Sequence, residues 1–422
     1  MNMRKYGKFH GATAVLLASS MTLAALFTGC GSSKEKTPTV PITVWCDAAN
    51  VDLMREKLEE FKDLYSDEAE FEFTVSVEGE DTCKDIVLSN PEGAADIYMF
   101  ADDQLRELCQ NDAILEITEH ADEIKAAVGG EDSGAALAAS YDGKLYACPV
   151  TAGNGYFLYY NKAYFSDEDV KTLDSILEIA EKNNKKFSMD YSSGWYTYSF
   201  FKGAGLELDC LEDGVTNECN WNATDTEYTG VDVAEAMLAI ASSDAFYDCA
   251  DDAFVKGIED GTIIAGVNGA WNASKIEAAW GDDYAATMLP TFTLKEDQVQ
   301  MCSFTGYKLM GINANTMYPK YCMEIVNFLN SDEIQLQRFK LTGECPANTT
   351  AASNAEVQES PAVAALALQS KYGYVQSVAD SFWEPASKLG VILASGNLDG
   401  RDLQQLLDET VQGITAAAEQ AQ

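Results

Sequence analysis

The sequence predicts an α/β fold spread over more than one domain, and three observations carry that prediction. The chain has 422 residues, beyond the roughly 250 to 300 at which single cores stop growing. Hydrophobic residues make up 47% of it against 23% charged, enough apolar material for buried cores and unlike a disordered chain. From Ile42 onward the pattern runs strand, helix, strand, helix, strand, the order that builds a parallel sheet with helical crossovers.

The elements follow in chain order. Met1 to Gly29 carries Arg4, Lys5 and Lys8, no acidic residue, and an apolar stretch from Ala12 to Phe27, the layout of a secretory signal. Leu26-Phe27-Thr28-Gly29-Cys30 resembles a bacterial lipobox, with Phe27 in place of the usual Leu. That resemblance implies cleavage after residue 29 and a lipid on Cys30. Residues 30–41, polar and holding Pro38 and Pro41, read as a tether to a folded body. No later segment reaches the ~18 apolar residues of a membrane span.

Ile42-Thr43-Val44-Trp45 reads as a buried strand. Asp52 to Tyr65 places Leu53, Met54, Leu58, Phe61, Leu64 and Tyr65 on one helical face. Phe71, Phe73, Val75 and Val77 alternate with polar residues, as a strand does, Asp81 to Leu88 is helical, and Asp96 to Phe100 is the third strand. Lys144 to Val150 and Tyr156 to Tyr160 are strands around a short crossing, Thr151-Ala-Gly-Asn-Gly155, which is a candidate hinge. Leu173 to Glu181 resumes helix, and the Ala/Gln-rich end from Thr415 to Gln422 reads as a fraying helix tip.

Charge and residue counts exclude several functions. Lys and Arg number 28 against 68 Asp and Glu, a net charge of -40, which repels polyphosphates and makes nucleic acid an improbable partner. Two histidines, His10 and His120, rule out a multi-histidine zinc site and leave little for a Ser/His/Asp triad. Besides Cys30 there are cysteines at 46, 83, 109, 148, 210, 219, 249, 302, 322 and 345, none in Cys-x-x-Cys spacing. Several lie in apolar runs, where cysteine behaves as a small hydrophobe, so mostly free thiols are expected. Cys210 and Cys219 are the one pair spaced for a local disulfide. The acid pairs Asp102-Asp103 and Asp251-Asp252 match neither an EF-hand loop nor a recognisable catalytic couple, and no Gly-rich phosphate loop opens a helix. No cofactor or metal is expected.

The tryptophans carry the functional signal. Sugar rings have apolar faces and hydroxyl rims, so a carbohydrate site needs flat aromatic platforms beside carboxylates or amides. Trp221 and Trp280 read as core, whereas Trp45, Trp195, Trp271 and Trp383 lie on separate segments with polar neighbours, as in Gly194-Trp195-Tyr196-Thr197-Tyr198 and Asn268-Gly269-Ala270-Trp271-Asn272. In open parallel sheets ligands bind beyond the carboxyl ends of strands. The tips there are Trp45-Cys46-Asp47-Ala48-Ala49-Asn50 and Phe100-Ala101-Asp102-Asp103-Gln104.

Together Asp96 to Asp103 (DIYMFADD), Tyr141 to Tyr146 with Pro149, Tyr160-Asn161-Lys162, Phe254 to Trp271 (FVKGIEDGTIIAGVNGAW), Leu289 to Phe292, Gly311 to Ala314 and Ser381-Phe382-Trp383 resemble the extracellular solute-binding proteins of ABC importers, in particular their maltose/maltodextrin-binding branch. The resemblance spans Ile42 to about Thr415. It implies a two-lobe, periplasmic-binding-protein-like clamp with a central ligand cleft between mixed, mostly parallel sheets. Residues 42–151 and 305–352 would form the first lobe, and residues 152–304 and 353–422 the second.

Carried over by position, the resemblance makes Trp271 and Trp383 stacking platforms of the second lobe, with Trp195 where that lobe has an aromatic and Phe100 where the first lobe offers a Trp. Asp103 matches a hydrogen-bonding carboxylate. Asp47 and Asn50 lie where the family often has Asp and Lys, Asn154 lies where the maltose branch has an acid, and Glu384 replaces a Tyr. The ligand-binding set is thus Trp45, Asp47, Asn50, Phe100, Asp103, Asn154, Trp195, Tyr196, Trp271, Trp383 and Glu384. The implied function is capture of an oligosaccharide, an α-glucan fragment foremost, by a monomeric receptor held to the membrane through its N-terminal lipid and serving an ABC permease. A receptor for another oligosaccharide or a peptide, and a surface glycoside-degrading enzyme, are the alternatives.

Overall fold

The computed structural model describes residues 38–211 and 213–416. The expected signal peptide, Cys30, most of the tether and the last residues of the Ala/Gln-rich end lie outside this range. Ten strands build the two main sheets. In chain order they are β1 (Thr39–Cys46), β2 (Glu70–Val77), β3 (Ile97–Ala101), β4 (Ala147–Ala152), β5 (Tyr156–Asn161), β6 (Lys186–Ser188), β7 (Phe246–Tyr247), β8 (Ile263–Gly269), β9 (Tyr284–Thr287) and β10 (Tyr307–Ile312). The first sheet has the order β2-β1-β3-β10-β4, and the second β7-β6-β8-β5-β9.

The first strand starts earlier than the sequence suggests. Thr39, Val40 and Pro41 already pair with Glu70, Phe71 and Glu72 of β2, so the tether ends three residues sooner than residue 41. Pro41 is tolerated because β3 joins β1 only from Val44 onward, leaving the missing N–H on an unpaired edge. The helices Val51–Leu64 and Cys83–Ser89 then return the chain to parallel β2 and β3, as the βαβαβ pattern predicts.

Each sheet is mixed, with two parallel and two antiparallel pairings. In the first, β2 and β3 run parallel to β1, while β10 is antiparallel to both β3 and β4. In the second, β7 and β8 run parallel to β6, and β5 is antiparallel to β8 and β9. The antiparallel pairings arise where the chain passes between sheets: β4 leads through Gly153 into β5, and Phe304 leads through Gly306 into β10. Gly153 adopts φ +76°, a left-handed turn that suits glycine. Asn154 N–H donates to the Gly306 carbonyl at 2.8 Å, so the two crossings lie side by side.

Separate cores support the two sheets. Ile42, Val44, Phe61, Phe100 and Leu309 are fully buried in the first. The second gathers Leu158, Phe201, Trp221 and Phe382 on one side of its sheet, and Phe157, Tyr159, Phe254 and Trp280 in a further cluster. Trp221 and Trp280 are therefore core residues, as expected. Trp221 stacks on Phe201 with centroids 4.1 Å apart. All ten cysteines from Cys46 to Cys345 are free thiols. Cys210 and Cys219 fail to pair because their hairpin sets Cys210 against Asn217 and Cys219 against Leu208.

The helix Trp383–Ala394 buries Ala386, Leu389, Gly390 and Leu393 against the second core. At Gly390 the approach is so close that a Cβ would lie 1.6 Å from the Tyr191 carbonyl oxygen. Gly390→Ala should cost about 1 to 3 kcal/mol, the range for overpacking a filled interior. A lowered midpoint in urea unfolding would show it.

Candidate functional site

The structure brings Trp195 and Trp271 together. Their rings lie 5.5 Å apart and tilted by 34°, within the geometry of an aromatic pair. Trp195 is the second residue of the helix Gly194–Gly203, which packs so tightly that a Cβ on Gly194 would sit 2.7 Å from that of Ala386. Its indole N–H donates to Gln376 Oε1 at 2.8 Å, and its carbonyl accepts the Tyr156 hydroxyl at 2.7 Å. Tyr156 also meets the Trp195 ring edge-on at 4.7 Å. Tyr196 packs beside both rings but is buried, so it supports the platform from beneath.

Trp271 follows the end of β8. Its ring folds back over Gly269, where a Cβ would clash at 1.9 Å, which explains the glycine in Asn-Gly-Ala-Trp. Asn268 Oδ1 accepts from Gly269 N–H at 2.9 Å and from Asn272 at 3.0 Å. Asp251 then receives both Asn268 Nδ2 at 2.8 Å and the Trp271 indole N–H at 2.7 Å. Two half-buried indoles are thereby held by an amide and a carboxylate, an apolar surface with a polar margin.

A charged cluster from the first sheet faces this pair. The Lys308 ammonium on β10 lies 5.6 Å from the Trp271 ring centroid, within cation–π range, and pairs with Glu80 at 2.6 Å and Glu344 at 2.5 Å. Asp47 and Asn50 adjoin it. Asn50 Nδ2 donates to Asp47 at 2.6 Å, while Asn50 Oδ1 accepts from Arg338 Nε at 3.0 Å. Burial would raise the Asp47 carboxyl, but the Lys308 charge and the Asn50 hydrogen bond outweigh it and hold the group below its ordinary value. Burial pushes Glu80 up, an effect that Lys308 opposes. Glu80 Oε1 and Arg338 Nη1 are sealed from solvent without a hydrogen-bond partner, and such groups are costly unless something satisfies them.

Asp102 and Asp103 occupy the turn after β3. Burial lifts Asp102 to about 8, with the Asp103 charge adding to it. Burial likewise lifts Asp103 to about 6, against a hydrogen bond with Gln376 and the Lys84 charge. Lys84, only 5% exposed at its side chain, reaches Glu107 at 2.7 Å and Asp85 at 3.1 Å in its own half and Asp380 in the other. Lys84, Asp103 and Lys308 thus join the two halves across the cleft.

Several sequence-derived candidates take other roles. Phe100 is fully buried in the first core, because β3 is covered on both faces, so it offers no platform. Trp45 is half-buried and packs on the same core. Glu384 is exposed and forms a surface pair with Lys388 one helical turn on, at 2.5 Å, because the inward face of its helix is set by Ala386, Leu389 and Leu393. Asn154 serves through its backbone, linking the crossings. Trp383 is half-buried and meets Phe382 edge-on at 4.9 Å, and Phe382 in turn presses on Gly194. Asp251, Gln376, Lys308, Glu80, Arg338 and Glu344 are the residues that motif reading missed. Asp251 alone carried a signal, as half of an acid pair that matched no catalytic pattern.

Two sheet-centred halves, joined by adjacent crossings and meeting over an aromatic and ionic cleft, define a clamp that holds a ligand. The chain matches the family of bacterial extracellular solute-binding proteins over residues 58–365, and it belongs to that family. A maltooligosaccharide ABC transporter solute-binding lipoprotein of Streptococcus pneumoniae (strain ATCC BAA-255 / R6) is 24% identical over 439 residues, covering 96% of this chain and 98% of its own. A solved structure with acarbose superposes at a TM-score of 0.76 and 28% identity, covering 90% of this chain and 99% of that one. A maltodextrin-binding protein from L. casei BL23, solved without ligand, gives 0.72 at 22% identity over 90% and 100%.

The raised carboxyls have a consequence for stability. A carboxyl whose folded value lies above its unfolded one binds an extra proton in the native state, so its contribution is full below about 4 and is lost as pH rises through the folded value. For Asp102 that window runs from about 4 up to about 8. Asp102→Asn should flatten the fall in melting temperature between pH 5 and 8. An unchanged pH profile would show that Asp102 is not the group that ionises.

Proposed function

We propose that this protein is a lipid-anchored extracytoplasmic receptor that captures maltooligosaccharides or related α-glucan fragments and delivers them to an ABC permease, as a monomer, without making or breaking a bond. The observation that carries the reading is the Trp195–Trp271 pair, whose indole N–H groups are held by Gln376 and Asp251. Pyranose faces stack on such rings, and the surrounding carboxylates and amides meet hydroxyls. The names of the relatives, which bind maltooligosaccharide, and the structure with acarbose support that ligand class.

The proposed lobes are residues 42–151 with 305–352, and 152–304 with 353–422. The hinges are Thr151–Gly155, Phe304–Gly306 and Asn348–Asn354. Ligand enters with the lobes apart, and one that touches both lobes favours the closed population by its difference in affinity for the two forms. Trp383, beside Phe382, extends the aromatic wall, and Asp47 and Asp103 present polar groups from the first lobe, whereas Asn50, only 1% exposed and bonded to both Asp47 and Arg338, lies behind the cleft surface and meets no ligand.

Trp271→Ala and Trp195→Ala should each weaken maltotetraose binding by about 1 to 3 kcal/mol, the worth of one buried aromatic contact. Calorimetry reads this directly, and unchanged affinity in both variants would remove the platform assignment. Maltotetraose incubated with the protein should be recovered intact. Its shortening would point to a glycoside-degrading enzyme.

A further inference from the structure

The ionic cluster behind Trp271 does not balance its charges. Three carboxyls, Asp47, Glu80 and Glu344, meet two cations, Lys308 and Arg338. The side chains of Glu80, Glu344 and Lys308 are 10%, 5% and 9% exposed, and Arg338 is buried. A dry site holds an unbalanced charge only at high cost and takes up a proton instead. One of the three carboxyls therefore carries one.

Hydrogen bonding identifies which. Asp47 accepts from Ala49 N–H at 2.7 Å, Asn50 N–H at 3.1 Å and Asn50 Nδ2 at 2.6 Å, partners that favour an ionised carboxylate. Glu344 meets the Lys308 ammonium directly. Glu80 gives Oε2 to Lys308, but its Oε1 is sealed from solvent without a hydrogen-bond partner. Glu80 also stands in hydrogen-bonding contact with Asp47. Ionised carboxylates only accept, so that contact needs a hydrogen between them. A proton on Glu80 supplies it and brings the cluster to neutrality. Burial acts in the same direction, lifting Glu80 to about 8 against the pull of Lys308, with the Asp47 and Glu344 charges adding to the rise. The Cys46 and Cys83 thiols also feel the Glu80 charge and stay protonated, burial pushing both up. Arg55 is turned to the Val75 carbonyl and Asp52.

We propose that Asp47 and Glu80 share one proton, carried on Glu80, and that closure of the two halves is linked to it. With the halves together, Trp271 stands over Lys308, 5.6 Å from ammonium to ring centroid. With them apart, water reaches the cluster, the charged form of Glu80 is solvated, and its proton passes to solvent. Closing takes one back. A ligand that closes the clamp therefore takes up protons, and its affinity is full below the value of Glu80 in the closed form and declines as pH rises through it. The proton is independent of ligand class, whereas its effect on affinity rests on the carbohydrate reading above.

Infrared spectroscopy of the ligand-free protein at pH 7 reads protonated carboxyls by their C=O band, which is distinct from those of carboxylates. Asp102 supplies one such group, so Asp102→Asn should lower the band and leave a second component. Adding Glu80→Gln should remove most of what remains. Calorimetry with maltotetraose at pH 8, in two buffers of different ionisation enthalpy, should show proton uptake by wild type and less by Glu80→Gln. Above pH 8 wild-type affinity should fall by at most about tenfold per pH unit, the limit for one proton, and that of Glu80→Gln should fall less. If Asp102→Asn shows no protonated-carboxyl band at pH 7, Glu80 is ionised and the proposal is overturned, whether or not Glu80→Gln folds. If the band is present but both proteins take up protons equally, the link to closure is overturned. If maltotetraose does not bind, the carbohydrate reading falls, and the infrared bands still decide the shared proton.

Discussion

The Lys308 ammonium is the interaction on which the cleft depends. It sits on the strand that brings the chain back into the first sheet, and Glu80 and Glu344 reach it from two other segments. A buried cation costs several kcal/mol unless paired, so three stretches distant in sequence are committed to one point. Asp47, Asn50 and Arg338 complete the arrangement by hydrogen bonds and charge. Because Lys308 also lies over Trp271, the same ion that fixes the first-half cleft wall touches the aromatic surface of the second half. Fold and site share one anchor.

The charge of the chain takes on a different meaning in this setting. A net charge of -40 reads from composition as a solvated acidic surface, and much of it is. Yet several of the few cations are spent internally: Lys84, Lys308 and Arg338 are almost wholly buried, each amid carboxylates or an amide. The acids that matter to the site are those facing these cations, and numbers alone could not single them out among 68.

Local features were legible in the sequence and long-range ones were not. The opening βαβαβ run, the strands around the first crossing, the core roles of Trp221 and Trp280 and the placement of Trp195 and Trp271 follow from periodicity and polar neighbours, which are local. Phe100 was misleading because its flanking acids suggested an exposed tip, whereas β10 pairs with its strand and buries it. Glu384 was misleading because adjacency to Trp383 says nothing about which side of a helix it takes. Pro41 concealed the start of β1, since the sequence does not reveal which edge of a strand stays unpaired. Gln376 and Lys308 carry no motif, and only tertiary contact gives them a role.

The ten free cysteines have an outcome of their own. Burial pushes thiols such as Cys46 and Cys219 up to about 12, so the thiolate that would attack another sulfur is scarce at neutral pH. Among the described residues no cross-link holds either half. The described body therefore has no disulfide to form as it folds and none for a reductant to break.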